Sequence, residues 1–263
     1  MSKRTVLFVS AAFFVFAAAF AFAQTADESL KKGDELYAQH KDAEALAAYM
    51  DAVKADPNNY EAAWKACRSM IDNGDLADVS AKAGEEKQKK LYKDSEAFGR
   101  KAVALSPNDT WGHFYLSAAL GKYALLLGKK EQIAISREIK AEIEKAIELD
   151  PKNDLAYHAL GRWHRRIAEI GGATRFFGSI LYGSIPKGSF EEAAAAFVKA
   201  IELKPEFIEH HLEQARTYME MDKYKDAAQE YQKAIDLPAT TSKDPDYKKE
   251  AADEIVQAKK KAK

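Results

Sequence analysis

Residues Glu44–Pro57 read EALAAYMDAVKADP, and the same phrase returns along the chain with small changes. It ends in VKADPNN at Pro57, VALSPND at Pro107, IELDPKND at Pro151, IELKPEF at Pro205 and AIDLP at Pro238. In each case an amphipathic run of helical period closes on an aliphatic residue shortly before a proline. A proline lacks the N–H that a further helical turn needs, so each phrase predicts a helix that stops there. Five of the seven prolines serve this one purpose. Internal repetition of this kind fixes the architecture before any single motif is interpreted.

Upstream of each proline, small residues recur at helical spacing. The pattern resembles the tetratricopeptide repeat, a helix–turn–helix unit of about 34 residues with small residues near positions 8, 20 and 27. Counting back from Pro57 places Gly33, Ala45 and Ala52 there, with Tyr49 between the alanines. Pro205 gives Ala193 and Ala200 around Phe197, and Pro238 gives Ala215, Ala227 and Ala234 with Tyr231. Small residues let two helices of a hairpin approach closely, and the aromatic fills the space beside them. The expectation is an all-α fold, a right-handed α-α superhelix of about five hairpins. Residues 24–237 form the array, and residues 238–263 supply a linker and a C-terminal capping helix.

The spacing is irregular. From proline to proline the steps are 50, 44, 54 and 33 residues. The first excess, ADVSAKAGEEKQKKLYKDS, reads as an N-terminal extension of a second helix. The next reads as long helices around LLLGKKEQIAISREIK. The largest contains GGATRFFGSILYGSIPKG, from Gly171 to Gly188, where hairpins ordinarily join through two to eight residues. Its apolar groups, Phe176, Phe177 and Tyr182 among them, must be buried against something. Two readings follow: a flap packed on neighbouring repeats, or one wall of a ligand site.

The first residues carry a separate signal. Lys3 and Arg4 precede an apolar run from Val6 to Phe22 that ends in Ala21-Phe22-Ala23. That order is the one of a secretory signal peptide over residues 1–23, cleaved before Gln24, which would send the chain to the periplasm or outside the cell. The alternative is a membrane anchor formed by residues 6–22. The formal net charge of −1 gives no basic excess of the kind that nucleic-acid binding shows.

Counting each first helix from three residues past the preceding proline assigns the groove-facing positions. The second hairpin offers Trp64 and Ile71, the third Trp111 and Phe114, and the fourth His158, Arg162, Arg165 and Arg166. An apolar, aromatic stretch thus precedes a cationic cluster. Guanidinium groups recognise carboxylate or phosphate through paired hydrogen bonds. A protein partner with an acidic segment suits this face, and so does a phospholipid or fatty acid. The competing reading pairs the arginines with Glu169 and Glu138 on the protein itself.

Catalysis finds little support. His158 and His164 lie six apart, on different faces of a helix, and His210 and His211 are adjacent. No His-Glu-x-x-His, phosphate-loop or nucleophile-elbow pattern occurs, so neither a metal nor a cofactor is implied. Cys67, the single cysteine, falls on a small packing position, as an inert thiol would.

The segment from Gln88 to Leu237 resembles the regulator of microtubule dynamics family. The resemblance rests on His158, Leu160, Gly161 and Trp163, on Arg175-Phe176-Phe177, on Tyr182-Gly183 with Pro186, and on Glu191-Glu192-Ala193. It implies the repeat fold and a binding surface. For animal members it further implies association with microtubules, or a mitochondrial tether whose repeats bind and transfer phospholipid.

Overall fold

The computed structural model describes residues 25–171 and 185–263. The expected signal peptide over residues 1–23, the expected cleavage before Gln24 and the alternative of an anchor over residues 6–22 lie outside the described residues. So do Phe176, Phe177 and Tyr182 of the inserted loop. The chain divides into two compact units, Met1–Pro107 and Asn108–Lys263. Among the described residues every regular element is helical.

The first unit runs through α1 (residues 25–38), α2 (Asp42–Ala55), α3 (Tyr60–Asp75) and α4 (Lys82–Leu105). Its core joins Leu30 of α1 to Ala45, Tyr49, Ala52 and Val53 of α2 and to Ala62 and Ala66 of α3. Gly33 shows why a small residue is needed on α1. A Cβ there would stand 2.5 Å from the Tyr49 ring, so the aromatic occupies the space a side chain would take. Cys67 is fully buried at the equivalent position of α3, where burial pushes its thiol far above the usual range.

The second unit contains α5 (Thr110–Ala124), α6 (Lys129–Leu149), α7 (Asp154–Ala168), α8 (Phe190–Leu203), α9 (Ile208–Glu220), α10 (Tyr224–Asp236) and α11 (Asp244–Lys261). The close approach seen at Gly33 recurs between α7 and α8: a Cβ at Gly161 would lie 2.8 Å from three ring atoms of Phe197. Trp163, Ile167 and Ile143 form one cluster, with the Trp163 indole N–H donating to the Ser136 carbonyl at 2.8 Å. A second cluster builds on Ile208, Leu212, Tyr231 and Ala234, and α11 closes it with Ala251, Ile255 and Ala258. The opposite face of α11, including Lys249, Asp253 and Lys260, is exposed, as a terminal helix of a repeat array requires.

The proline phrases act as helix stop and helix start together. α2, α4, α6, α8 and α10 end at Ala55, Leu105, Leu149, Leu203 and Asp236, each two positions before one of the five prolines. After the first three prolines a polar residue then caps the next helix. The Asn59 side chain accepts from the Ala62 N–H at 2.8 Å, Asp109 from Trp111 at 3.0 Å and Asn153 from Ala156 at 3.1 Å.

Two of the long spacings resolve as follows. α4 has 24 residues against 14 in α2, and the extra turns begin at Lys82. The expected long helix of LLLGKKEQIAISREIK is α6, of 21 residues; α5 stops at Ala124, residues 125–128 make a turn, and α6 begins at Lys129. Three leucines look helical by propensity, but Gly128 in extended conformation marks the boundary.

Candidate functional site

The candidate residues fall on both units. On the first, Trp64 is half-buried on α3 and Ile71 is buried. Beside Trp64, the Arg68 guanidinium lies 3.6 Å from the centre of the Tyr37 ring and 5.3 Å from that of Trp64. Its Nη2 also donates to the Tyr49 hydroxyl at 3.0 Å, and that hydroxyl donates to Asp34 at 2.8 Å. Lys65 closes the group with contacts to Asp34 at 2.7 Å and Glu61 at 2.5 Å. The first three helices of this unit therefore meet at one cationic, aromatic node.

On the second unit, Trp111 stands half-exposed at the start of α5, stacked on Tyr115 with ring centres 6.0 Å apart. Phe114 is buried edge-on against Tyr115 at 4.7 Å. Two helical turns beyond Phe114, a Cβ built on Gly121 would meet nothing within 4 Å. The face of α5 thus offers an aromatic cluster and open space.

The arginines of α7 do not stand as an isolated cationic cluster. Arg162 pairs with Glu209 at 3.2 Å, and Arg165 forms a short ion pair with Glu213, both across the seam to α9. Arg166 takes a partner named from the sequence, Glu169 at 3.2 Å. Glu213 also receives Arg216 at 3.0 Å, and Arg216 reaches Glu250 at 2.7 Å and Glu254 at 2.5 Å on α11. Tyr231 donates to Glu254 at 2.7 Å. The result is a row of alternating charge from α7 through α9 to α11.

His158 is buried at the head of this row. Its Nδ1 lies 2.9 Å from Nδ1 of His210, so one ring must donate to the other. Nε2 of His210 faces Asp154 at 3.0 Å, and Nε2 of His158 faces Glu209 at 3.6 Å. Burial would raise the Glu209 carboxyl, yet His158, Arg162 and Lys122 together hold it far below the ordinary carboxylate range. Burial pushes His210 down to about 4, against the pull of Asp154.

Glu209, Glu213, His210 and Arg216 were missed in the sequence. The register used for the earlier hairpins, carried one hairpin further, reaches Glu209 and Arg216. No group of three histidine, cysteine or acidic side chains among the described residues could hold a metal ion.

Helical hairpins locked by small-residue contacts, closed by prolines and carrying side-chain rows on their first helices define a tetratricopeptide-repeat protein. The crystal structure of a thermophilic TPR protein of Thermus thermophilus shares this fold, with a TM-score of 0.64 at 18% identity over 88% of this chain and 99% of that one. The chain belongs to the regulator of microtubule dynamics protein 1-3 family, which matches residues 29–259. It is 30% identical to regulator of microtubule dynamics protein 1 of Bos taurus over 250 residues, 95% of this chain and 76% of that protein. The Mus musculus protein of the same name is 29% identical over 86% of this chain and 72% of its own length.

Proposed function

We propose that this protein is a non-catalytic adaptor that binds a protein partner along the first helices of its hairpins. The observation that carries the reading is the row Arg162–Glu209, Arg165–Glu213 and Arg216–Glu254, whose groups hold one another in place across hairpins. A polar face fixed before binding loses little side-chain freedom on association and selects partners by charge complementarity. Half-exposed Trp111 adds the aromatic anchor that dominates many interfaces. The histidines bear structural contacts instead of poised ones: His113 meets Glu142 at 2.5 Å and His211 meets Glu230 at 2.6 Å. The order of residues in the leader supports an activity outside the cytoplasm, which sequencing of the mature N-terminus tests by a start at Gln24.

The test is affinity for a partner isolated from envelope extract and identified. Trp111→Ala and Arg162→Glu should each weaken binding at least about tenfold, the usual size for an anchor residue. Lys93→Glu, on an exposed position of the first unit, should not. Equal affinity across all variants would remove the reading. A second reading, a carrier of phospholipid or fatty acid, draws on the open space at Gly121 beside the aromatic cluster. Native mass spectrometry separates the two, because a carrier retains a lipid of defined mass.

A further inference from the structure

The turn between α5 and α6 departs twice from what folding alone would select. Leu125 is 55% exposed and Leu126 38% exposed, side by side at the end of α5. The corresponding turn after α9 carries Asp222-Lys223 at the same place, and the connection after α6 carries Pro151-Lys152-Asn153. Lys129 and Lys130, both exposed, then occupy the first turn of α6. The partial positive charge of a helix N-terminus disfavours cations there. Local choices that work against both burial and the helix dipole at one spot mark a site kept for another purpose.

The tip is rigid as well as apolar. The N–H of Leu126 donates to the Tyr123 carbonyl at 3.0 Å, and that of Leu127 to the Ala124 carbonyl at 3.0 Å. From α6, the Gln132 side chain donates to the Leu127 carbonyl at 2.9 Å, and its backbone N–H to the Gly128 carbonyl at 2.9 Å. Tyr123, half-exposed, flanks the leucines. No aspartate or glutamate occurs from Thr110 to Lys130, although the whole chain has a net charge of −1. The positive charge is therefore local. The first acid, Glu131, turns back toward Gly128, where an added Cβ would lie 2.7 Å from its Oε2.

From these features we infer that the segment Tyr123–Lys130 is a membrane-contact tip that docks on an anionic lipid surface. Adjacent leucines on an exposed turn suit a deformable apolar phase. A tyrosine at their edge fits the interfacial layer, and lysines beside them sit at the level of the phosphates. Each lysine near such a surface strengthens binding by about fivefold. The inference does not depend on the adaptor reading, since it uses none of the ion pairs of the Arg162–Glu209 row.

The full chain carrying Leu126→Cys tests it directly. Cys67 is fully buried, so an environment-sensitive thiol dye reports from position 126. With vesicles of 70% phosphatidylcholine and 30% phosphatidylserine, the dye should shift to the blue and be quenched by brominated acyl chains. Pure phosphatidylcholine vesicles should give neither response. Lys129→Glu with Lys130→Glu should weaken the response at least about twentyfold, the product of two fivefold terms. Raising the salt tenfold should also weaken it. Circular dichroism melts should match across variants, because all the changed side chains are exposed. A dye that stays in water with both vesicle types overturns the proposal. So does quenching that ignores lipid charge, a lysine variant that responds as strongly as its parent, or a blue shift that tracks self-association without vesicles.

Discussion

At the scale of single residues, the buried pair His158 and His210 links proton chemistry to the stability of the α7–α9 seam. His210 is wholly buried between His158 and Asp154 and next to Phe207, whose ring centre lies 4.6 Å away. The charged groups facing this pair are Asp154, Arg162, Glu209 and, from α5, Lys122. Burial lowers His210 to about 4. Between pH 6.5 and 4 the unfolded chain therefore binds a proton that the native state excludes. Stability must rise with pH across that window and fall as pH drops through it. The loss at pH 4.5 should be on the order of 2 kcal/mol, at about 1.4 kcal/mol per pH unit. Glu209 and Glu213 are held below their ordinary range, so their contribution is present above about pH 4 and adds a second loss below it. Urea unfolding at pH 7, 5.5 and 4.5 checks the sign. His210→Gln keeps a polar side chain without titrating, and its upper acid limb should flatten while the carboxylate limb stays. Equal limbs in both proteins would count against the assignment.

At the scale of helices, Asn153 joins three elements. Its side-chain oxygen caps α7 at Ala156, and its amide donates to the Thr110 hydroxyl at 2.9 Å. That hydroxyl donates onward to the Ala146 carbonyl at 2.9 Å, near the end of α6. Asn59 performs only the first of these tasks, for α3. Asn59→Ala should cost about 1 kcal/mol, the usual worth of a cap. Asn153→Ala should cost about 2 kcal/mol, because a buried hydrogen bond goes too. Urea midpoints of the two variants measure the difference. The helix stops were legible in the sequence because each proline phrase confines stop and turn to a few consecutive residues. The Gly33–Tyr49 contact was legible for the same reason, since repetition shows which small residue meets which ring. The partners of Arg162 and Arg165 were not. Glu209 and Glu213 lie 47 and 48 residues away, beyond the insertion, where the register has to be restarted from Pro205; restarted there it reaches Glu209 but not Glu213.

At the scale of the molecule, what matters is how a repeat array ends. Each hairpin buries one face on the next, so the last needs a cover that exposes polar groups. α11 meets that need in two ways, and magnitudes decide between them. Arg216 holds Glu250 and Glu254 in a network whose side chains are 25–47% exposed. Ion pairs that wet contribute about 0–1 kcal/mol. Ile255, Ala251 and Ala258 instead close a core around Tyr231 and Ile208. Truncating a buried isoleucine to alanine costs about 2–5 kcal/mol. Ile255→Ala should therefore destabilise the second unit several times more than Arg216→Met, which keeps the stem of the side chain, loses the charge and its hydrogen bonds, and leaves Glu213 paired with Arg165. Thermal unfolding followed by circular dichroism, with Trp163 fluorescence reporting from within the second unit, measures both. The reverse order would mean that charge, and not apolar burial, fastens the terminal helix. The charged row from Arg162 to Glu254 would then be chiefly a brace for α11, and the partner-binding role argued from it would lose its support.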